Sequence, residues 1–237
     1  MSKPFRFKQF SVQQDRCAMK LGTDSVLLGA WASLSHHPKS ILDIGAGTGI
    51  LSLMLAQRSS AEILDALEME HRAFEQCVEN FEESSWSDRL FCYHGSLEEF
   101  TNEIEGKYDL IVCNPPFYPE HYKTKSQERD RARFQDAMPF SSLIKCVSIL
   151  LEKAGEFSII IPFTEEKKFR DIAVAFGLYP KVICHVRGNI RSKVKRTMMN
   201  FAFDNVTPKL TELAIETSRH VFTKDYIDLT QDFYLNM

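Results

Sequence analysis

From residue 20 onward, short runs of β-branched and leucine residues alternate with longer stretches of helical periodicity, and this rhythm restricts the possible folds more than any other feature of the chain. The strand-like runs cover 40–44 (SILDI), 62–67, 90–93, 108–113 (YDLIVC), 155–161 (GEFSIII), 179–187 and 196–203. Between them, 49–57, 71–84, 141–151 and 165–176 read as helices. In 71–84 the apolar residues Ala73, Phe74, Cys77, Val78 and Phe81 recur at three- and four-residue intervals, which makes one buried stripe. Strands and helices in this order predict βαβ units, hence an α/β fold with a mainly parallel seven-stranded sheet and helices on both faces. Such sheets bind ligands beyond the carboxyl ends of their strands, so the residues just after each strand are where chemistry is expected.

The flanks add little that could stand alone. FRFKQFSVQQD predicts a short N-terminal hairpin, with Phe5, Phe7 and Phe10 packing it, and a helix follows over about 23–33. Residues 120–139 form a charged loop, and the tail (ELAIET, then YIDLTQDFYL) offers one strand and a short helix. We read 1–237 as a single domain: 1–33 as hairpin and covering helix, 34–203 as the sheet core, and 204–237 as a C-terminal extension. No run of eighteen apolar residues exists, and MSKPFRFKQF has no apolar signal core, so neither a membrane span nor secretion is expected. The six cysteines contain no Cys-x-x-Cys pair and the histidines no ligand spacing, so no metal is assigned and a reducing cytoplasm fits best.

Two motifs carry the chemistry. Residues 42–50 read LDIGAGTGI, in which a strand ends at Ile44 and Gly45, Gly47 and Gly49 open a helix. Three glycines in five positions let the backbone bend sharply and a ligand approach closely. A phosphate-cradling loop would need Gly-Lys-Ser/Thr, and a dinucleotide fingerprint would need glycine where Ile50 stands. Asp43 ahead of the turn can instead hydrogen-bond a cationic ammonium, directly or through water, which fits S-adenosylmethionine, a sulfonium without phosphate. Glu68 ends the second strand and is placed for both ribose hydroxyls, although Glu70 stands nearby.

The strand YDLIVC runs straight into Asn114-Pro115-Pro116-Phe117. Two prolines restrict the backbone after Asn114 and remove two N–H donors. The Asn114 side-chain oxygen and the Pro115 carbonyl are left as fixed acceptors, suited to an –NH2 on a planar conjugated group. Phe117 is expected to stack on that group, a contact worth about 1–3 kcal/mol for a base. Catalysis would then be positioning and electrostatics rather than general base chemistry.

With these motifs in this order, the chain resembles the class I, Rossmann-like methyltransferases that modify exocyclic or amide nitrogens. It is most similar to the bacterial tRNA (adenine-N6)-methyltransferases acting on adenine 37, next to the anticodon of a valine tRNA. The stretches 7–31 (FKQFSVQQDRCAMKLGTDSVLLGAW), 132–140 (ARFQDAMPF) and the terminal DFYLNM carry this narrower resemblance over nearly the whole chain. It implies that Gly22, Thr23 and Asp24 neighbour the cofactor, with Asn114 beside its reactive end; from the residues alone, Thr23 or Asp24 reads as a helix N-cap. It also implies an acidic residue for the cofactor adenine after the third strand. Ser96 stands there instead, so Ser96 and the backbone amide of Leu97 are the candidates.

Net charge is −3, so any nucleic acid must be held by local basic patches. Residues 187–196 hold Arg187, Arg191, Lys193, Lys195 and Arg196 with no acid, and 123–133 hold Lys123, Lys125, Arg129, Arg131 and Arg133 with two acids. Both are expected to contact phosphates of an anticodon stem-loop bound by one copy of the chain. Methylation of a protein glutamine amide or of a guanine N2 uses the same Asn-Pro-Pro-aromatic logic and stays open. So does a cofactor-binding RNA chaperone without turnover, although two fixed acceptors argue against it.

Overall fold

The computed structural model describes residues 3–17, 20–116 and 138–237. A nine-stranded sheet organises them, in the order β11-β10-β8-β9-β7-β6-β3-β4-β5. The seven expected strands are all present: β3 (Ser40–Ile44), β4 (Ile63–Glu68), β5 (Leu90–His94), β6 (Tyr108–Cys113), β7 (Leu151–Pro162), β8 (Tyr179–Asn189) and β9 (Val194–Ala202). The tail adds β10 (Lys209–Ser218), parallel to β8, and the two-residue β11 (Val221–Phe222). β9 runs antiparallel between β7 and β8, while β5, β4, β3, β6 and β7 are mutually parallel.

Helices cover both faces, because strands buried on both sides carry near-continuous apolar runs. In β3, Ile41 packs into one core with α1 (Thr23–Trp31), α2 (Ile50–Arg58) and Cys77 and Phe81 of α3 (His71–Glu82). Leu42 and Ile44 face a second core built with α4 (Leu97–Glu103), α5 (Phe140–Leu150) and α6 (Glu166–Ala175). The apolar stripe expected of 71–84 is confirmed at Ala73, Cys77 and Phe81, all buried. Helix α4 is additional to the sequence expectation. It starts at Ser96 in a capping box, in which Ser96 accepts from the Glu99 N–H and the Glu99 carboxylate reaches back to the Ser96 N–H.

The hairpin of β1 (Phe5–Arg6) and β2 (Ser11–Val12) sits against the C-terminal segment through a Phe7–Tyr234 bridge. Phe7 and Phe10 are buried and stacked at 4.7 Å, the packing role expected of them. After the hairpin the chain crosses α3, where buried Asn80 accepts from the Gln13 N–H and donates to the Gln13 carbonyl. Arg16 pairs with Glu79 at 2.8 Å on the same helix. No helix among the described residues is long and apolar enough to cross a membrane.

Candidate active site

Strand β3 has β4 on one side and β6 on the other, so the chain reverses its winding there and leaves a crevice beyond the strand ends. The glycine turn occupies that crevice. Gly45, Gly47 and Gly49 have φ of 72°, 58° and 77°, left-handed conformations that L side chains resist. Their surroundings differ. A Cβ at Gly45 or Gly47 would meet nothing within 4 Å, whereas one at Gly49 would lie 2.5 Å from Phe81 and 2.8 Å from Cys77 Sγ. The first two glycines keep a cradle open, and the third lets α2 start against α3.

Beneath the turn, Asp43 is fully buried. Its Oδ2 accepts from the Ser52 N–H at 3.2 Å and the Ser52 hydroxyl at 2.9 Å, which fixes the first turn of α2. Its Oδ1 is buried and accepts no hydrogen bond among the described residues. Burial pushes the Asp43 carboxyl up to about 7; the Ser52 bonds oppose the shift and the charge of Glu68 adds to it. An unfolded aspartate ionises near about 3.9. Between those values the folded chain keeps a proton that the unfolded chain releases, so this group makes stability fall as pH rises from about 4 to about 7. Asp43→Asn is therefore expected to raise Tm relative to wild type at about pH 8, and the gap to close by about pH 4. A constant gap across that range in thermal denaturation would refute the buried-proton account.

Glu68 closes the other side of the cradle. Its Oε2 accepts from the Gly47 N–H and its Oε1 from the Glu70 N–H, both at 2.8 Å. Glu70 is committed elsewhere, capping α3 by accepting from the Arg72 and Ala73 N–H groups. Glu68 is thus the carboxylate that faces the cavity, a 280 Å³ space also lined by Gly45, Leu67, Met69, Leu97, Pro116 and Met138. Apolar walls of this kind suit a flat heterocycle. Its described lining holds two carboxylates, Glu68 and Glu98, and no lysine or arginine, which favours a cationic ligand over a phosphate.

Ser96 also borders this cavity, yet its hydroxyl donates to Glu99 at 2.7 Å, a helix-capping duty. Glu98, one residue past Leu97, also lines the cavity and brings a second carboxylate to it. Only its place in the first turn of α4 brings it there. Gly22 is the N-cap of α1, so Thr23 and Asp24 are its first helical residues rather than caps. Asp24 accepts from Arg196 Nε at 2.8 Å, across from β9.

Asn114 leaves β6 with Pro115 buried behind it, and its Nδ2 donates to the Ser25 hydroxyl at 2.8 Å. Phe117, Lys123, Lys125, Arg129, Arg131 and Arg133 lie outside the described residues. The second basic stretch forms the turn between β8 and β9, at the same sheet edge as Asn114. Two of its five cations have acidic partners within the chain. Arg187 pairs with Glu212 and donates to the Ser192 carbonyl, shaping the turn, while Arg196 holds Asp24. Arg191, Lys193 and Lys195 are exposed. Sequence reasoning also missed Ser25 and Asn80. Asn80 donates to the carbonyl of Thr48 in the glycine turn and binds Gln13, contacts too remote along the chain to leave a local signal.

The Methyltransferase small domain family matches residues 20–139. A tRNA1(Val) (adenine(37)-N6)-methyltransferase from Flavobacterium psychrophilum is 58% identical, with 98% of this chain and 100% of the relative covered. One of the same name from Christiangramia forsetii is 55% identical over 100% of this chain and 99% of the relative. The chain belongs to the tRNA1(Val) (adenine(37)-N6)-methyltransferase family. Its fold is the class I methyltransferase fold. A predicted O-methyltransferase from Agrobacterium tumefaciens shares it, with a TM-score of 0.63, 18% identity, and 89% of this chain and 96% of the other covered. For a member of this methyltransferase family the methyl donor is S-adenosylmethionine, and the open glycine cradle, the acidic lining and the unpartnered Asp43 oxygen fit that ligand.

Proposed function

We propose that this chain transfers a methyl group from S-adenosylmethionine to the exocyclic N6 amine of adenine 37, next to the anticodon of tRNA1(Val). The observation that carries the reading is Asn114, held at the end of β6 beside a cavity that suits a cationic ligand. Glu68 would accept from the ribose hydroxyls, and the cavity walls at Leu67, Leu97, Pro116 and Met138 would hold the adenine ring. S-adenosylmethionine supplies an electrophilic methyl on its sulfonium. Asn114 Oδ1 and the Pro115 carbonyl oxygen accept the two amine protons of the target base, which turns the nitrogen lone pair out of conjugation and toward that methyl. Bound there, the sulfonium would supply the methyl for the new N–C bond with a neutral thioether as its leaving group, and the amine proton would be released to water. No side-chain base is needed.

For tRNA, the support is electrostatic. Arg191, Lys193 and Lys195 extend from the β8–β9 turn at the edge that carries Asn114. Beside them a groove of 1180 Å³ carries two cations, Lys3 and Arg6, and one carboxylate, Glu216, among aromatic residues including Phe5 and Phe222. Charge reversal at Arg191 and Lys193 should weaken tRNA binding about tenfold or more and flatten its salt dependence, by about one in slope for each lost phosphate contact. S-adenosylmethionine affinity should not change. An unaltered salt slope in filter-binding titrations would remove this turn from the RNA interface.

The activity is tested by incubating the protein with S-adenosylmethionine and unmodified tRNA, then digesting to nucleosides for mass spectrometry. New N6-methyladenosine is the expected product. Its absence, with cofactor binding demonstrated, would overturn the assignment in favour of a glutamine amide or guanine N2 substrate.

A further inference from the structure

We infer that the first turn of α1 is a positioning device for Asn114, with Ser25 as the residue that holds the reacting amide in register. This rests on the reading above, that Asn114 receives the substrate amine. Serine in the first turn of a helix usually hydrogen-bonds its own backbone. Here its hydroxyl reaches a residue 89 positions away instead, accepting from Asn114 Nδ2 at 2.8 Å.

The consequence is directional. An asparagine amide has a donor edge and an acceptor edge, and only the acceptor edge can receive an N–H of the target amine. Rotated by half a turn, the amide would present its own N–H groups to that amine, donor against donor. Pro115 restricts the Asn114 backbone but leaves the side-chain torsions free. Ser25 removes that freedom by engaging Nδ2, which fixes which edge of the amide faces α1 and leaves the Oδ1 edge for a donor. The helix is itself anchored one residue earlier, where Asp24 accepts from Arg196 Nε at 2.8 Å. Gly22 caps this helix without a side-chain bond, so the Asp24–Arg196 pair and the Ser25–Asn114 bond are the side-chain ties that hold the turn across the sheet edge. The basic residue expected to grip RNA is here a strut for the catalytic loop.

Steady-state kinetics on tRNA decide the matter. Ser25→Ala should lower kcat about tenfold while the KM values for tRNA and S-adenosylmethionine stay within about twofold, the size of one lost hydrogen bond. Ser25→Thr, which keeps the hydroxyl, should restore most of the rate. In an Asn114→Ala background, Ser25→Ala should cost nothing further, because its target is gone. Thermal denaturation of each variant separates misfolding from misplacement, and if Ser25→Ala unfolds, Ser25→Cys, similar in size but a weak acceptor, takes its place beside the Thr variant. Unchanged kcat in Ser25→Ala overturns the proposal, as does a loss confined to the cofactor KM, which would make Ser25 a cofactor contact. Full turnover by Asn114→Ala alone would instead sink the functional reading beneath it.

Discussion

Asn114→Ala is expected to lower kcat for methyl transfer by at least about 10²–10³-fold, with S-adenosylmethionine affinity within a few-fold of wild type. The asymmetry follows from where the contacts lie. The cofactor cavity is built from the glycine turn, Glu68 and the walls at Leu97, Pro116 and Met138, and Asn114 is absent from its lining. On the proposed reading the acceptor edge of Asn114 acts on the target amine, whose lone pair must be freed as the new bond forms, so its removal falls on the transition state rather than on ground-state cofactor binding. Isothermal titration with the cofactor, beside a single-turnover assay on tRNA, measures both arms. Retained turnover would refute the acceptor role, and a cofactor affinity lost in proportion to rate would place Asn114 in the cofactor site instead. A non-catalytic RNA chaperone predicts a third pattern, with RNA remodelling unaffected by the substitution.

Much of the architecture was legible because buried parallel strands announce themselves. SILDI and YDLIVC are apolar on both faces, and in the structure Ile41 and Leu42 serve opposite cores. Helix α3 was legible for the complementary reason, a single stripe that packs under the glycine turn. What escaped was either short or locally polar. Helix α4 has seven residues, too few for a periodic signal, yet its capping box from Ser96 to Glu99 was present to be read. Strand β7 begins at Leu151, before the expected run, a start hidden in the sequence because EKA after Leu151 is exposed and carries no alternation. Strand β10 was expected only as ELAIET, since its opening residues owe their place to pairing with β8.

The site divides along the same line. Glycines, prolines and a strand-end carboxylate act through the backbone and leave a local mark, so the turn, Asn114 and Glu68 could be found in advance. The partners that orient them could not. Ser25 reaches Asn114 across 89 residues, Asn80 reaches Thr48 in the turn across 32, and Arg196 reaches Asp24 across 172, and nothing nearby in the chain distinguishes them from surface polar residues. The pairing of charge is hidden for a related reason. A basic run looks free when its acids are distant, and Arg187 and Arg196 meet Glu212 and Asp24 only after folding.

The three glycines of the turn should also separate by experiment, with the largest stability effect at Gly49. Gly49→Ala places a Cβ 2.5 Å from Phe81 and 2.8 Å from Cys77 Sγ, at a φ of 77°. Overpacking of a tight core costs about 1–3 kcal/mol, and a left-handed alanine adds about 1–2 kcal/mol. For a chain of this length the sum corresponds to a Tm lowered by roughly 5–15 °C. Gly47→Ala carries only the backbone cost, because its Cβ meets nothing within 4 Å. That open space is where the cofactor must approach, and the Gly47 N–H also holds Glu68 in place. The variant should therefore stay folded, lose only a few degrees in Tm, and bind S-adenosylmethionine at least about tenfold more weakly. Differential scanning calorimetry and cofactor titration of the two proteins, side by side, test the division. Equal losses of stability would mean that both glycines serve the turn alone. A Gly47→Ala protein with wild-type affinity would remove the cofactor from this cradle. The expected crossing, stability lost at one glycine and ligand at the other two residues away, follows from α3 lying behind the turn and the crevice in front of it.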